Sequence, residues 1–396
     1  MDTTELADSP SRADLVARAA KLVPTLRENA SWAEENRQLH EGTIKAMAEA
    51  GLLRTRLPAR FGGYESDMRT QVEVLAELAK GDGSASWTAG VWSISAWVAG
   101  LFPDTVQDEV FASPDDLVSG IISPTAMAVP AKDGIVVNGR WAFNSGAKHS
   151  KWNTNAAVLA MPDGSFQPVM TLIPLASLEI DDDWHTAGLR GSGSVSTVAH
   201  EVFVPDGWYI PLGGILQGHS GHGSNADALI HRAPIMPTAC ATVSATALGL
   251  AKGAKDVFFE RLPGRKITYT EYTDQSEAPL THLQVAEASV KIDETEFHVY
   301  RIADLVDAKN ASGEPWTLEE RARVRLDTGA ACQRSKEAVD ILNTASGASS
   351  IYTDVPIQRI ERDVQTLNLH AIMHPNTNLE LYGRILCGLA PNTQYL

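Results

Sequence analysis

The side chains of this sequence best suited to proton exchange are His370 and, four residues on, His374, which Pro375 follows at once. An imidazole with its ordinary pKa of about 6.5 gives and takes protons around neutral pH. The pair could also face one way on a helix and ligate a metal, but Pro375 argues against a helix running through that point and no third ligand is evident. A second candidate is Ser145, in the run Gly139-Arg140-Trp141-Ala142-Phe143-Asn144-Ser145-Gly146, where a strand-like stretch gives way to a turn beside two aromatic residues. Residue type alone leaves plainer readings open: a lone histidine can be a core residue at a helix end, and a turn serine can bond its own backbone. His219 and His222 lie in a glycine-rich connector, as solvated loop residues or as part of a lid. Gly191-Ser192-Gly193 is the nearest approach to a dinucleotide-binding glycine motif, yet it lies in a β-rich stretch and opens no helix. No nicotinamide site is visible.

The chain has 396 residues, 44% hydrophobic and 21% charged, an ordinary globular mixture long enough for two or three domains. Its 33 basic and 49 acidic residues give a net charge of −16, which repels phosphate backbones and anionic lipid surfaces. Neither nucleic acid nor a membrane is expected as a partner. Cys240, Cys332 and Cys387 are too few and too scattered for a disulfide framework or a metal knuckle, which favours a reducing cytoplasm. Met1 to Pro10 is acidic and has neither the basic nor the apolar stretch of a secretion signal. Ser84 to Phe102 carries no charge, but its four serines, two glycines and three tryptophans suit a buried helix better than a membrane span.

The elements that would position these residues change character along the chain. From Arg12 to Leu101 the pattern is helical, with Leu15, Ala19, Leu22 and Leu26 at three- and four-residue intervals and Gly51 closing the helix that holds Ile44 and Met47. Between Ser119 and Pro205, short β-branched runs alternate with Asp133-Gly134 and Asn138-Gly139, both read as tight hairpin turns. A Gly/Ser/His-rich connector from Gly213 to Asn225 leads to a second helical region. There Val285, Ala288, Ile292, Thr295, Val299, Ile302 and Val306 form a bundle-type seam, and Thr317 with Glu320 reads as a capping box for a helix that Gly347 closes.

Leu39 to Glu65, with Ala50-Gly51-Leu52, Leu57-Pro58 and Arg60-Phe61-Gly62-Gly63-Tyr64, resembles the N-terminal signature of the acyl-CoA dehydrogenase superfamily. The Gly139 to Gly146 run with His149 and Trp152 resembles that superfamily's flavin-dependent monooxygenase branch. So does Trp184 with Gly188-Leu189-Arg190-Gly191-Ser192-Gly193-Ser194, continuing to Val202-Phe203-Val204-Pro205. In order and spacing the resemblance spans roughly residues 15–389. It implies an α+β, acyl-CoA dehydrogenase-like fold: an N-terminal helical domain (1–115), a central β-barrel-like domain (116–224) and a C-terminal four-helix bundle (225–396).

At Ala371, dehydrogenase members often place their catalytic glutamate; here the carboxylate is missing and His370 stands beside the gap. The resemblance therefore implies the oxygenase component of a two-component monooxygenase, in which reduced FMN or FAD and O2 form a C4a-hydroperoxyflavin that hydroxylates an aromatic or polycyclic phenol- or indole-type substrate. It makes Ser145 the contact to flavin N5 and His370 the general base. Trp141, Phe143, Ser123, Ser192, Ser194, Arg261, Arg265 and Gln284 become candidate cofactor contacts, although the family's arginine precedes a Phe-Gly pair and this chain reads Arg261-Leu262-Pro263-Gly264-Arg265. Trp92, His149 and His374 become candidates for the substrate pocket. With no nicotinamide site, a separate NAD(P)H-dependent flavin reductase is expected as partner, and family likeness implies a homotetramer. The alternatives are an amino-sugar N-oxygenase, an acyl-CoA dehydrogenase or oxidase with a relocated base such as Glu260, and a non-catalytic flavin binder.

Overall fold

A computed structural model describes residues 9–218, 223–225 and 228–396; His219 and His222 fall outside the described residues. The chain opens with five helices: α1 (Arg12–Asn36), α2 (Glu41–Glu49), α3 (Met68–Ala79), α4 (Gly83–Ala99) and α5 (Asp104–Val110). Ser11 starts α1 through a reciprocal capping box with Asp14, and Leu15, Ala19 and Leu26 lie on its buried face. The uncharged stretch is α4. Nearly all of it is buried, including Trp87, Trp92 and Trp97, because it packs between α3, a later helix and the sheet. Some of its polar groups are paired internally, as Ser86 Oγ–H is to the Leu75 carbonyl at 2.8 Å, whereas Thr88 Oγ1 and Ser93 Oγ are buried without a partner. Among the described residues no helix is long and apolar enough to cross a membrane.

Seven strands follow: β1 (Val118–Ala131), β2 (Gly134–Asn144), β3 (Trp152–Ala160), β4 (Phe166–Pro174), β5 (Glu179–Asp181), β6 (Val195–Pro205) and β7 (Tyr209–Pro211). They form one mixed sheet in the order β5-β6-β2-β1-β3-β4-β7, with β1 and β3 parallel. The barrel-like domain is thus an open sheet edged by β5 and β7. A β1–β2 hairpin forms, one residue earlier than the Asp133-Gly134 reading puts its turn: Lys132 and Asp133 make the turn and Gly134 already pairs with Ala131. Asn138-Gly139 does not make a turn: it lies inside β2, where pairing with β6 shifts register between Val137 and Gly139. The extra residue is on β6, where His200 and Glu201 face Asn138 and Glu201 takes a φ of 51°.

Part of the expected connector is helical. In α6 (Leu212–Gln217), Leu212, Ile215 and Leu216 are spaced to share one buried face, which outweighs the two glycines between them. The remaining helices are α7 (Ile235–Arg261), α8 (Pro279–Ser312), α9 (Leu318–Ala345), α10 (Pro356–Asn368) and α11 (Pro375–Leu386). The α8 seam from Ala288 to Val306 is buried within the chain, against α9 and α7. Thr317 and Glu320 form the capping box of α9, and Gly347 follows its C-cap with a positive φ.

Candidate active site

Ser145 reaches its place through a break in β2. Between Trp141 and Asn144 the register with β6 shifts by one residue, and Phe143 takes a φ of 65°. The extra residue ends the in-out alternation of the strand. Trp141 stays in the sheet core, fully buried, with its indole N–H on the Ala156 carbonyl at 2.7 Å. Phe143 turns outward, 68% exposed, with Trp184 edge-on at 6.0 Å. Asn144 turns back in and donates to Asn153 Oδ1 at 2.7 Å and Thr197 Oγ1 at 2.9 Å. Ser145 comes next, buried against α4. Gly146 then takes a φ of 70°, and a Cβ there would lie 2.5 Å from the Trp92 indole nitrogen, so turn and helix meet at a distance only glycine permits.

Trp87 donates its indole N–H to Ser145 Oγ at 2.9 Å. Ser145 Oγ lies 2.6 Å from Ser194 Oγ, which lies 2.7 Å from Ser192 Oγ, which donates to the Leu189 carbonyl at 2.7 Å. The loop carrying these residues is clamped from two helices. Asp363 of α10 accepts the Leu189 N–H at 2.6 Å, Arg362 donates to the Ala187 carbonyl at 2.6 Å, and Arg190 donates to the Glu34 carbonyl of α1 at 3.1 Å.

His370 lies in the turn between α10 and α11. Its ring meets that of Trp87 at 5.0 Å between centroids, tilted by 70°. One tryptophan therefore touches both predicted catalytic residues, and it is the residue that reading the sequence missed. Behind the turn, the buried Arg325 of α9 donates to Asn378 Oδ1 at 2.9 Å, the Tyr395 carbonyl at 2.6 Å and the Ala371 carbonyl at 3.4 Å. Asn378 in turn donates to the Ile372 carbonyl at 2.8 Å.

Although solvent still reaches part of His370, protein packs densely around it. Desolvation and then the Arg325 charge push its pKa down to about 4, so the ordinary value expected from sequence does not hold and the ring is neutral at physiological pH. Nδ1 accepts the Ile372 N–H at 3.3 Å, which leaves the proton of the neutral ring on Nε2.

Trp92 and His149 also come together, edge-on with centroids 6.5 Å apart. Burial lowers the His149 pKa, and its Nε2 is buried without a partner, as is Thr88 Oγ1 beside the Gly146 turn. Other candidates stand apart. Ser123 is exposed on β1, Gln284 is half-buried near the start of α8, and His374 caps α11 by accepting the Thr377 N–H at 3.4 Å. Arg261 and Arg265, at the C-terminal end of α7, donate to Ser349 Oγ at 3.2 Å and to the Ser346 carbonyl. Each keeps one buried Nη1 without a partner, and burial and then the Arg261 charge lower the Arg265 pKa. Glu260 is no relocated base: it is exposed and pairs with Arg27 at 2.7 Å. Among the described residues, no three His, Cys, Asp or Glu side chains lie together as metal ligands.

Helical block, mixed sheet and helical bundle in this order define an acyl-CoA dehydrogenase fold, and residues 14–103 and 241–375 match the families "Acyl-CoA dehydrogenase, N-terminal domain" and "Acyl-CoA dehydrogenase, C-terminal domain". The oxygenase subunit HsaA of a flavin-dependent monooxygenase from Rhodococcus jostii is 30% identical over 371 residues, covering 92% of this chain and 96% of that protein. The oxygenase component of the FADH(2)-dependent resorcinol hydroxylase of Rhizobium is 29% identical and covers 96% of each. Of solved structures, XiaF from Streptomyces in complex with FADH2 and glycerol superimposes with a TM-score of 0.90 at 28% identity, over 96% of this chain and 97% of that one. The chain belongs to the flavin-dependent monooxygenases of the acyl-CoA dehydrogenase superfamily, as the oxygenase component of a two-component system.

Proposed function

We propose that this protein hydroxylates an aromatic or polycyclic molecule of phenol or indole type, using O2 and reduced FMN or FAD delivered by a separate NAD(P)H-dependent flavin reductase. The observation that carries the reading is Trp87, which joins Ser145 and His370 in one cluster where neither hydrogen-bonds to a carboxylate. Where the resemblance puts the dehydrogenases' catalytic glutamate, this chain has Ala371.

The residues present fit a flavin. Ser145 Oγ offers an acceptor for N5–H, the unpartnered Nη1 groups of Arg261 and Arg265 suit a phosphate, and the exposed Phe143 ring beside Trp184 suits a flat ring system. Ser123, Ser192, Ser194 and Gln284 belong to the same cofactor reading. Bound reduced flavin supplies the electrons that activate O2. Ser145 holds its N5–H, and α4 and the α10–α11 turn keep water from it. His370 with its proton on Nε2 offers that N–H to a substrate oxygen; to act as a base at Nε2 the ring takes the other tautomer, its own proton on Nδ1 and the weak Ile372 contact released, so that Nε2 has a lone pair for the substrate proton. Trp92 and His149 line the substrate side. Aromatic walls without a carboxylate favour a flat aromatic substrate over an amino sugar. His374 reaches that side only if it leaves its cap.

A homotetramer in the cytoplasm completes the proposal. The buried α8 seam is intramolecular, but the outer face of α8 carries exposed Leu283, Val290 and Phe297 seven residues apart, a stripe suited to a second copy. The test is incubation with reductase, NADH, flavin and isotopically labelled O2 across a panel of phenols and indoles. Products heavier by one labelled oxygen are expected. H2O2 as the sole product, with flavin bleached anaerobically by acyl-CoA, would overturn the proposal.

A further inference from the structure

The protons of the serine chain beneath Ser145 can point only one way. A carbonyl only accepts, so the Ser192 hydroxyl proton is committed to the Leu189 carbonyl at 2.7 Å. The 2.7 Å contact between Ser192 and Ser194 then needs the Ser194 proton, and the 2.6 Å contact between Ser194 and Ser145 needs the Ser145 proton. Ser145, Ser192 and Ser194 are 3%, 1% and 3% exposed, so water offers no alternative partners. The Trp87 indole, a donor only, takes one lone pair of Ser145 Oγ. Ser145 is left with one lone pair and no proton to give.

The end of the chain is itself well held. Leu189 sits at a φ of 49°, its N–H is on Asp363, and its carbonyl also accepts the Trp184 indole N–H at 3.0 Å. A hydroxyl that can rotate would serve an acceptor or a donor equally. One whose proton is fixed two residues away cannot.

We propose that the relay Ser145–Ser194–Ser192–Leu189 locks Ser145 as a hydrogen-bond acceptor and so makes the site select reduced flavin, which presents N5–H, over oxidised flavin, whose N5 is itself an acceptor. The inference rests on the reading that Ser145 faces N5. Ser192 and Ser194 are then positioning residues that act through Ser145. The consequence suits an enzyme that receives reduced flavin from another protein and must release the oxidised form after each turnover: the same atom grips one and repels the other. A hydrogen bond gained in one state and two facing lone pairs in the other separate the two affinities by about tenfold or more.

The test is anaerobic titration of the full-length protein with reduced and with oxidised FMN and FAD, read as two dissociation constants per variant. Wild type should bind the reduced form more tightly. Ser192→Ala leaves Ser194 with no acceptor but Ser145, whose own proton is freed, and the preference should fall about tenfold, while Ser192→Thr keeps the relay and the preference. If Ser145→Ala weakens reduced-flavin binding but Ser192→Ala leaves the ratio at its wild-type value, the relay is refuted and the N5 contact survives. If Ser145→Ala changes neither constant, the N5 reading falls and takes the relay with it. Should circular dichroism show that Ser192→Ala does not fold, Ser194→Ala breaks the relay one step closer and is judged by the same outcomes.

Discussion

Replacing Asp363 with asparagine should weaken the pH dependence of stability between about pH 5 and pH 8. Burial pushes the Asp363 carboxyl up to about 7; the Leu189 N–H pulls it down, Asp82 pushes it up, and Arg359 and Arg362 pull it down. Asp82, the N-cap of α4, is raised to about 6, again by burial, against the pull of Arg359 and of the Ser84 and Ala85 N–H groups, with Glu34 adding a push. Arg359 hydrogen-bonds to Ser31 Oγ at 3.3 Å, so neither carboxylate has a close cationic partner there. A folded pKa above the unfolded value of about 3.9 means that the native state keeps a proton the unfolded chain has released. The stabilisation is full below the unfolded pKa and is lost as pH rises through the folded one. From about pH 5 to pH 6 nearly one proton separates the states and that pH unit removes about 1.4 kcal/mol; the difference falls to about half a proton at pH 7, and the loss between pH 5 and pH 8 is roughly 3 kcal/mol. Asp363→Asn retains an oxygen for the Leu189 N–H and cannot ionise. Urea unfolding across this range should therefore show the stability difference, variant minus wild type, growing by roughly 3 kcal/mol. Parallel profiles would refute the reasoning, because they would mean that Asp363 does not change charge on folding.

His370→Ala should lower turnover by roughly 10²–10⁴-fold while reduced flavin still binds, and full turnover would remove His370 from the chemistry. Because the wild-type ring protonates only as pH falls through about 4, kcat/KM should show no histidine inflection between about pH 6 and pH 8; one near 6.5 would contradict its burial. Trp87→Phe keeps the ring against His370 and deletes the N–H on Ser145, so stability should fall by about 1 kcal/mol and more O2 should leave as H2O2 per product formed. Unchanged coupling would separate that hydrogen bond from catalysis. Arg265→Ala removes one of two like charges, so reduced FMN should bind about tenfold more weakly with no loss of thermal midpoint; equal affinity would place the phosphate elsewhere.

Much of the fold is legible because burial repeats with the period of the element. The α8 seam and the Thr317 capping box lie where spacing puts them. Where local chemistry suits a turn, sequence does not decide whether one forms: Asn138-Gly139 stays within β2, opposite a bulge that belongs to the partner strand β6. The site divides in the same way. Ser145 and His370 stand out by type and by resemblance, whereas Trp87 lies in a helix buried all round, whose three tryptophans have no periodicity to distinguish them. It is singled out by the bulge at Phe143, which swings Ser145 under α4, and by the α10–α11 turn, which brings His370 to its ring. The shifted pKa of His370 is equally invisible, since its causes are packing and an arginine on another helix.

The three serines are plain in the sequence, but the direction of their protons is not, because direction is set at the end of a chain and the end is the carbonyl of Leu189. That carbonyl is held by a loop whose Leu189 N–H is bound to a buried carboxyl, in a place where charge costs several kcal/mol. Two carboxyls beside each other at the junction of α4, α10 and this loop are poor stabilisers of a fold. Asp363 is understandable there if what it holds still is Leu189, the residue that decides whether Ser145 accepts or donates, while Asp82 caps α4 beside it.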